Sequence, residues 1–330
     1  MTRWHESTSI EEVSSPPFVL AVDIGGTTLK VGLFDSQLAG HLLKRIPTET
    51  SRGPQAVVDQ LTRLVQACLS QAARQWGECA VAALAVATPG LVDTTAGVVH
   101  FAGNLGFVDL PMARYMSQVA HGLPVTVLND AHAGALGEVS AGALAGQGLY
   151  VALGTGIGGC LVGHDGHVTL GSRGHAGEIG HMVIDPNGPK CGCGGRGHLE
   201  SLASGAAIAR MYKSKSNNSS STSARVVAER LAEGDQIASD VWQVAVAALA
   251  IAIANVTTLL DPAFVVLGGD VSASGRLLLE PLQTHAARLL PFRSLPEIVT
   301  SRHPDVAGLL GAASAAWRSL SNCQSEPMKG

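Results

Sequence analysis

Aromatic side chains make up only 4% of these 330 residues, and charged ones only 15%. The first scarcity excludes a core built on stacked rings. It leaves Val, Ala and Leu to fill the interior, which suits an α/β protein long enough for two ordinary domains. The second leaves a formal charge of −4 with no run of Lys or Arg, so the electrostatic footprint of a general nucleic-acid binder is missing. A small neutral or anionic ligand is the expected partner, with no nucleic acid and no membrane. Met1–Pro17 carries Glu6, Glu11 and Glu12 and lacks an apolar h-region, which excludes a signal peptide or anchor there. A disordered tail over residues 1–17 and a cytoplasmic location are expected. The one long apolar run, Val241–Leu260, is broken by Trp242, Gln243, Asn255, Thr257 and Thr258 and reads as a buried helix. Cysteine is sparse too, with no Cys-x-x-Cys pair. Cys68, Cys79, Cys160 and Cys323 lie scattered in apolar or terminal segments, as small core residues or inert thiols.

What the chain does have is glycine, placed where apolar runs end. Phe18–Val22 is a β run, Asp23-Ile24-Gly25-Gly26-Thr27-Thr28 makes a turn, and Leu29–Phe34 resumes as a strand, giving a hairpin with a glycine-rich bend. Lys30 lies in the second strand, without an assigned role. Helical spacing follows over Gln55–Trp76, then a buried strand Val81–Ala87 and the turn Thr88-Pro89-Gly90. A helix over Pro111–Ala120, a strand Val125–Leu128 ending in Asn129-Asp130, and a helix through Ala143 complete the first half. The second half opens in the same way. Strand Leu149–Leu153, a turn over Gly154–Gly159 and strand Cys160–Gly163 suggest a duplicated architecture. Helices are expected over Ser204–Tyr212, Ala224–Ala232 and Gln236–Leu260, then a strand Phe264–Leu267 ending in Gly268-Gly269-Asp270, and a last helix over Val306–Leu320. Lys213–Ser223, rich in Ser and Asn, reads as a mobile surface loop.

Gly154, Gly156 and Gly159 satisfy the G-x-G-x-x-G spacing of a dinucleotide-binding turn, but that fingerprint must open a helix and the chain here continues as a strand. Two readings stay open for the two bends: tight hairpins alone, or paired phosphate clamps in which successive N–H groups and the hydroxyls of Thr27, Thr28 and Thr155 meet phosphate oxygens.

His181, Cys191, Cys193 and His198 offer four metal-ligand side chains within eighteen residues, and glycines between them let a short backbone fold around one ion. Zinc is the expected metal. One intervening residue gives Cys191 and Cys193 poor geometry for a disulfide. Glu178 and Glu200 bracket the ligands and could aim acceptors at a polar molecule, or stand as solvated loop acids. Asp130, at the end of an apolar strand, could be a general base or the N-cap of the next helix.

Taken in order, Asp23-Ile24-Gly25-Gly26-Thr27, Asn129-Asp130, Leu153-Gly154-Thr155-Gly156-Ile157-Gly158, Gly177-Glu178-Ile179-Gly180-His181 and Cys191-x-Cys193-Gly-x-x-Gly-His198-x-Glu200 resemble the ROK family of bacterial sugar kinases and repressors, above all its glucokinases. The resemblance runs from Phe18 to about Leu320. It implies a duplicated actin-like ATPase (ribonuclease H-like) α/β fold, with domains over 18–132, joined by the C-terminal helix 306–320, and over 133–305, around an active-site cleft. ATP, Mg²⁺, a structural Zn²⁺ and a hexose are the implied ligands, and a homodimer the implied assembly. By the same resemblance Asp130 is the catalytic base toward the sugar 6-hydroxyl. Asn129, Glu178, His181 and Glu200 bond the other hydroxyls, with Gly90 and Asn104 lining the pocket. Gly25, Gly26, Thr27, Thr28, Gly154, Thr155 and Gly156 hold the ATP phosphates, Asp23 orients hydrated Mg²⁺, and Gly268 and Gly269 approach the nucleoside. His181 serves both zinc and sugar. Where the family pattern has a third cysteine this chain has His198, so a two-Cys, two-His site replaces three-Cys, one-His.

Three function classes follow. The first is an ATP-dependent kinase of glucose, or alternatively of N-acetylmannosamine or N-acetylglucosamine. The second is a sugar-sensing repressor, disfavoured because seventeen residues ahead of the first strand are too few for a helix-turn-helix domain. The third, a zinc-dependent dehydrogenase, is disfavoured by the strand that follows Gly159.

Overall fold

The computed structural model describes residues 17–142, 146–172, 174–216 and 222–325. The expected tail, Ala143, the middle of the Ser/Asn-rich loop and the Cys323 side chain lie outside what is described. β1 (Phe18–Ile24) and β2 (Thr28–Phe34) form the expected hairpin, with a bend shorter than the sequence suggests, because Asp23 and Ile24 stay in the ladder opposite Lys30 and Leu29. β3 (Gly40–Pro47) extends the sheet as an edge strand. Its half-exposed Gly-His-Leu-Leu-Lys-Arg-Ile-Pro sequence carries no buried run to betray it. α1 (Pro54–Trp76) leads to β4 (Val81–Thr88), which lies parallel to β1, and β8 (Val125–Asn129) lies parallel to β4. Between them β5 (Leu91–Asp93), β6 (Val98–Ala102) and β7 (Phe107–Leu110) make a separate antiparallel sheet, followed by α2 (Met112–Val119).

After α3 (Asp130–Ser140) the pattern repeats. β9 (Gly148–Leu153) and β10 (Ile157–Val162) are an antiparallel hairpin, β11 (Val168–Thr169) is the edge, and β12 (Phe264–Gly268) and β13 (Glu297–Thr300) add in parallel. The two sheet orders, β3-β2-β1-β4-β8 and β11-β10-β9-β12-β13, are the same topology twice. Duplication read from two glycine turns is therefore present in the hydrogen-bond ladders.

The second sheet carries α4 (Leu199–Ala203), α5 (Gly205–Ser216), α6 (Ala224–Ala232), α7 (Gln236–Leu260) and α8 (Arg276–Leu289). α5 absorbs Lys213–Ser216 as its last turn, correcting the expectation of loop there. α8 carries Pro281 inside it, which hid the helix from sequence reading. α7 is long and apolar enough to cross a membrane, yet Val241, Trp242, Ala245, Leu249 and Ile253 are the ridge of the larger core. α9 (Ala307–Ser325) returns to the first sheet, where Leu309, Ala312 and Ala316 pack with Ala133 and Leu136 of α3 against Val19, Ala21 and Ala83.

One buried acid ties these helices together. Glu138 of α3 is only 1% exposed and accepts from the Ser301 hydroxyl and from the backbone N–H groups of Arg302 (3.3 Å) and His303 (3.4 Å), just ahead of α9. Removing it strands the buried Ser301 hydroxyl, at a cost of about 1–3 kcal/mol, and loosens the backbone donors beside it, of which the His303 N–H keeps the Ser301 Oγ as acceptor (3.1 Å). Glu138→Ala is expected to lower stability by about 2–4 kcal/mol in urea titrations, with Glu138→Gln recovering part of it; an Ala variant as stable as wild type contradicts this account.

Candidate active site

The two hairpin bends face one cleft, a cavity of about 830 Å³. Its lining brings together Asp23, Gly25, Gly26, Thr27, Thr28, Gly90, Asn104, Asn129, Asp130, Gly154, Thr155, Gly156, Glu178, His181, Cys191, Cys193, Glu200 and Gly269. Two expected residues stand outside it. Gly268, the last residue of β12, lies against the Tyr150 ring, and His198 completes the Cys/His cluster.

At the floor, β8 runs directly into α3, and the question of which residue caps the helix is settled by hydrogen bonds. Asn129 is the N-cap: its Oδ1 accepts from the N–H groups of Ala131 (2.8 Å) and His132 (3.3 Å). Its Nδ2 donates to the Gly90 carbonyl at 2.9 Å, pinning the turn after β4. Asp130 is thereby freed from capping and lines the cleft. Burial pushes its pKa up to about 7, with the nearby Asp23 carboxylate and then Glu178 adding repulsion against the bond from the Ala131 N–H. A carboxyl poised near neutrality is suited to proton transfer.

Asp23, next to last in β1 and beside the first bend, pairs with Lys30 at 3.2 Å. Its carboxylate lies against Gly308 in the first turn of α9, where an added Cβ would sit 2.8 Å from Oδ2. Only glycine leaves room there, and the helix N-terminus suits a negative charge. The second bend, Gly154–Gly156, has a helix against it after all, though one from elsewhere in sequence. The Gly205 N–H donates to the Gly154 carbonyl (2.8 Å), so α5 starts at the bend, with its Ser204 hydroxyl accepting from the Ala207 N–H (3.1 Å).

The ligand atoms of His181, Cys191, Cys193 and His198 all lie within 4.8 Å of one another. Tetrahedral zinc with bonds of about 2.0–2.3 Å needs its donors roughly 3.3–3.8 Å apart, so a small contraction fits the set to the metal. Cys193 Sγ is already 3.3 Å from His198 Nδ1. Burial raises the Cys191 thiol pKa, a proton that a bound cation would displace. Glu178 stands 3.9 Å from His181 Nε2, both partly open to the cleft. Glu200 connects the cluster to the second bend: Cys191 Sγ is 3.7 Å from its Oε1, and the Ile157 N–H donates to its Oε2 at 3.0 Å.

The profile of the ROK family matches residues 19–318. The chain belongs to the ROK family. It is 34% identical over 316 residues to a glucokinase of Thermotoga maritima, covering 90% of this chain and 96% of that one. It is 33% identical over 300 residues to an N-acetylmannosamine kinase of Escherichia coli O1:K1, covering 89% and 96%. A Streptomyces griseus ROK family glucokinase, solved in complex with glucose and AMPPNP, superposes with a TM-score of 0.80 at 29% identity, covering 91% of this chain and 99% of that one. The fold is the actin-like ATPase fold of ROK sugar kinases.

Within this ROK cleft the structure adds residues to which the motifs assigned nothing: Lys30, Arg45, Phe101, His175, Arg210 and Pro304. Most come from segments without a motif, and only fold topology brings them in. Lys30 becomes the partner of Asp23 only through the β1–β2 register, which shortens the bend to three residues. The Cys/His loop also shows why histidine is tolerated at 198. Its ring lies over Gly195, where any Cβ would collide with it. Elemental analysis of the purified chain is expected to give about one zinc per chain. His198→Cys should keep it and His198→Ala should weaken it by at least about tenfold; a stoichiometric zinc unchanged in His198→Ala would show that the fourth ligand lies elsewhere.

Proposed function

We propose that this ROK protein is an ATP-dependent hexose kinase that converts glucose to glucose 6-phosphate. The observation that carries the reading is Asp130, a cleft carboxyl with a pKa raised to about 7, set between two glycine bends and the Glu178–His181 pair. In the proposed step the sugar O6 attacks the γ-phosphorus, the bond from that phosphorus to the β-bridging oxygen breaks, ADP leaves, and Asp130 takes the hydroxyl proton. Amides and hydroxyls of Gly25, Gly26, Thr27, Thr28, Gly154, Thr155 and Gly156 hold the phosphates, and Gly269, with Gly268 behind it, borders the nucleoside. Asp23 would hold Mg²⁺, which when bound would supply charge neutralisation at the phosphoryl oxygens. His181, Cys191, Cys193 and His198 would hold a structural zinc, which would fix Glu200 and the His181 ring facing the sugar hydroxyls, with Gly90, Asn104 and Asn129 completing the pocket.

Division into lobes over 18–132 with the last helix, and over 133–305, belongs to the same proposal, as do closure of the cleft on the sugar, a homodimer and a cytoplasmic location. ATP use is supported by the AMPPNP complex of the Streptomyces griseus glucokinase. Glucose is favoured because its 2-hydroxyl can meet Glu178 and His181, and a sugar lacking it leaves those acceptors unpaired.

The N-acetylmannosamine kinase relative keeps an acetamido sugar as the second reading. Side-by-side kcat/KM values with glucose, N-acetylmannosamine and N-acetylglucosamine decide between them. Glucose is expected to lead by about tenfold or more, and a comparable lead for an amino sugar overturns the choice. Asp130→Asn should turn over below about a hundredth of wild type while still binding glucose and ATP. Absence of phosphorylation of every sugar would leave only the non-catalytic sugar-sensing reading.

A further inference from the structure

Gly25, Gly26 and Thr27 join β1 to β2 outside the ladder, so their peptide groups take their direction from bonds made elsewhere. One bond closes the bend on itself, from the Gly25 N–H to the Thr28 carbonyl at 2.8 Å. Two more come from Thr48, the residue after β3: its hydroxyl donates to the Gly25 carbonyl at 2.7 Å and its N–H to the Thr27 carbonyl at 3.0 Å. A trans peptide carries its C=O and N–H on opposite sides, and none of the described peptide bonds is cis. Holding the Gly25 carbonyl on Thr48 therefore turns the Gly26 N–H away from the end of β3. Gly26 and Thr27 both line the cleft, and their N–H groups make no hydrogen bond among the described residues. Backbone donors left free at a cavity wall can grip an anion. Thr48 is itself held from behind. Gln60 of α1, 7% exposed, donates from Nε2 to the Pro47 carbonyl at 2.7 Å and accepts at Oε1 from the Glu49 N–H at 3.1 Å, clasping the chain on both sides of Thr48. The other buried positions of α1 are apolar, so a glutamine among them is there for its hydrogen bonds.

We propose that Thr48 is a positioning residue for the first glycine bend: it holds the Gly25 and Thr27 carbonyls back from an incoming triphosphate so that the Gly26 and Thr27 amides meet it, and Gln60 keeps Thr48 in place from α1. A carbonyl rotated into the cleft would repel phosphate, and glycine at the first two positions of the bend gives that rotation little intrinsic resistance. Thr48 lies outside the cleft lining and acts only through the bend. Its part in binding rests on the kinase reading, whereas the order it gives the bend does not.

The test compares Thr48→Val, which keeps the shape and loses the hydroxyl, with Thr48→Ser, which keeps the hydroxyl. Amide ¹⁵N order parameters of Gly25, Gly26 and Thr27 in the ligand-free protein should fall in Thr48→Val and hold at wild-type values in Thr48→Ser. In calorimetric titrations with AMPPNP and Mg²⁺, Thr48→Val should bind at least about fivefold more weakly than wild type and Thr48→Ser within about twofold. Glucose affinity, measured on the same preparations, should be unchanged in both, which shows that the variants are folded. Gln60→Ala should likewise weaken AMPPNP and spare glucose. A bend as ordered in Thr48→Val as in wild type overturns the proposal. So does AMPPNP bound equally by the two, or a loss of glucose affinity as large as the loss of AMPPNP affinity, which marks a general structural role. If the bend loosens in Thr48→Val but wild type itself binds no AMPPNP, the kinase reading fails and the ordering of the bend by Thr48 stands.

Discussion

Three carboxylates, Asp130, Asp23 and the more exposed Glu178, converge on one cleft, and much of the local structure accommodates their repulsion. Burial and the neighbouring charges hold the Asp130 pKa near 7, far above the ordinary carboxylate range. The sign of the linkage follows. The folded chain keeps the Asp130 proton above pH 4 while the unfolded chain loses it, so this residue's contribution to stability declines as pH rises from about 4 to about 7. A site that works near neutrality therefore costs the fold some stability there. Asn129 takes over capping so that Asp130 need not, Lys30 neutralises Asp23, and the α9 N-terminus approaches Asp23 through Gly308.

The opposite wall is organised by a second device. Glu200 touches Cys191 on one oxygen and the Ile157 N–H on the other, so the metal loop and the second glycine bend share one carboxylate. α5, starting on Gly154, fixes the same bend from outside. Segments far apart in sequence thus meet at a single turn, and loosening the Cys/His loop would be felt at the second glycine bend as well.

Much of this was legible in the sequence, for physical reasons. Apolar runs ended by glycine marked both hairpins, and the spacing of His181, Cys191, Cys193 and His198 marked the cluster they form, because those signals are local. β3, β13, the β5–β7 sheet and α8 were not legible. Short or half-exposed strands bury too little to impose alternation, and Pro281 disguised a helix. That Asn129 and not Asp130 caps α3 shows only in the Asn129 bonds, which no pattern of residue types reveals. Lys30, Arg45 and Gly308 acquire meaning only from strand register and from the return of α9 to the first sheet.

The account stands on the protonation of one side chain, and a site-resolved titration measures it directly. Carboxyl ¹³C chemical shifts of the aspartates, with Asp130 assigned by its loss in Asp130→Asn, should show Asp130 titrating near pH 7 in the free protein. In Asp23→Asn its midpoint should move down, because a repelling charge is gone. An Asp130 that titrates at about 4, as an ordinary exposed carboxyl does, or that ignores the Asp23 substitution, would contradict the account.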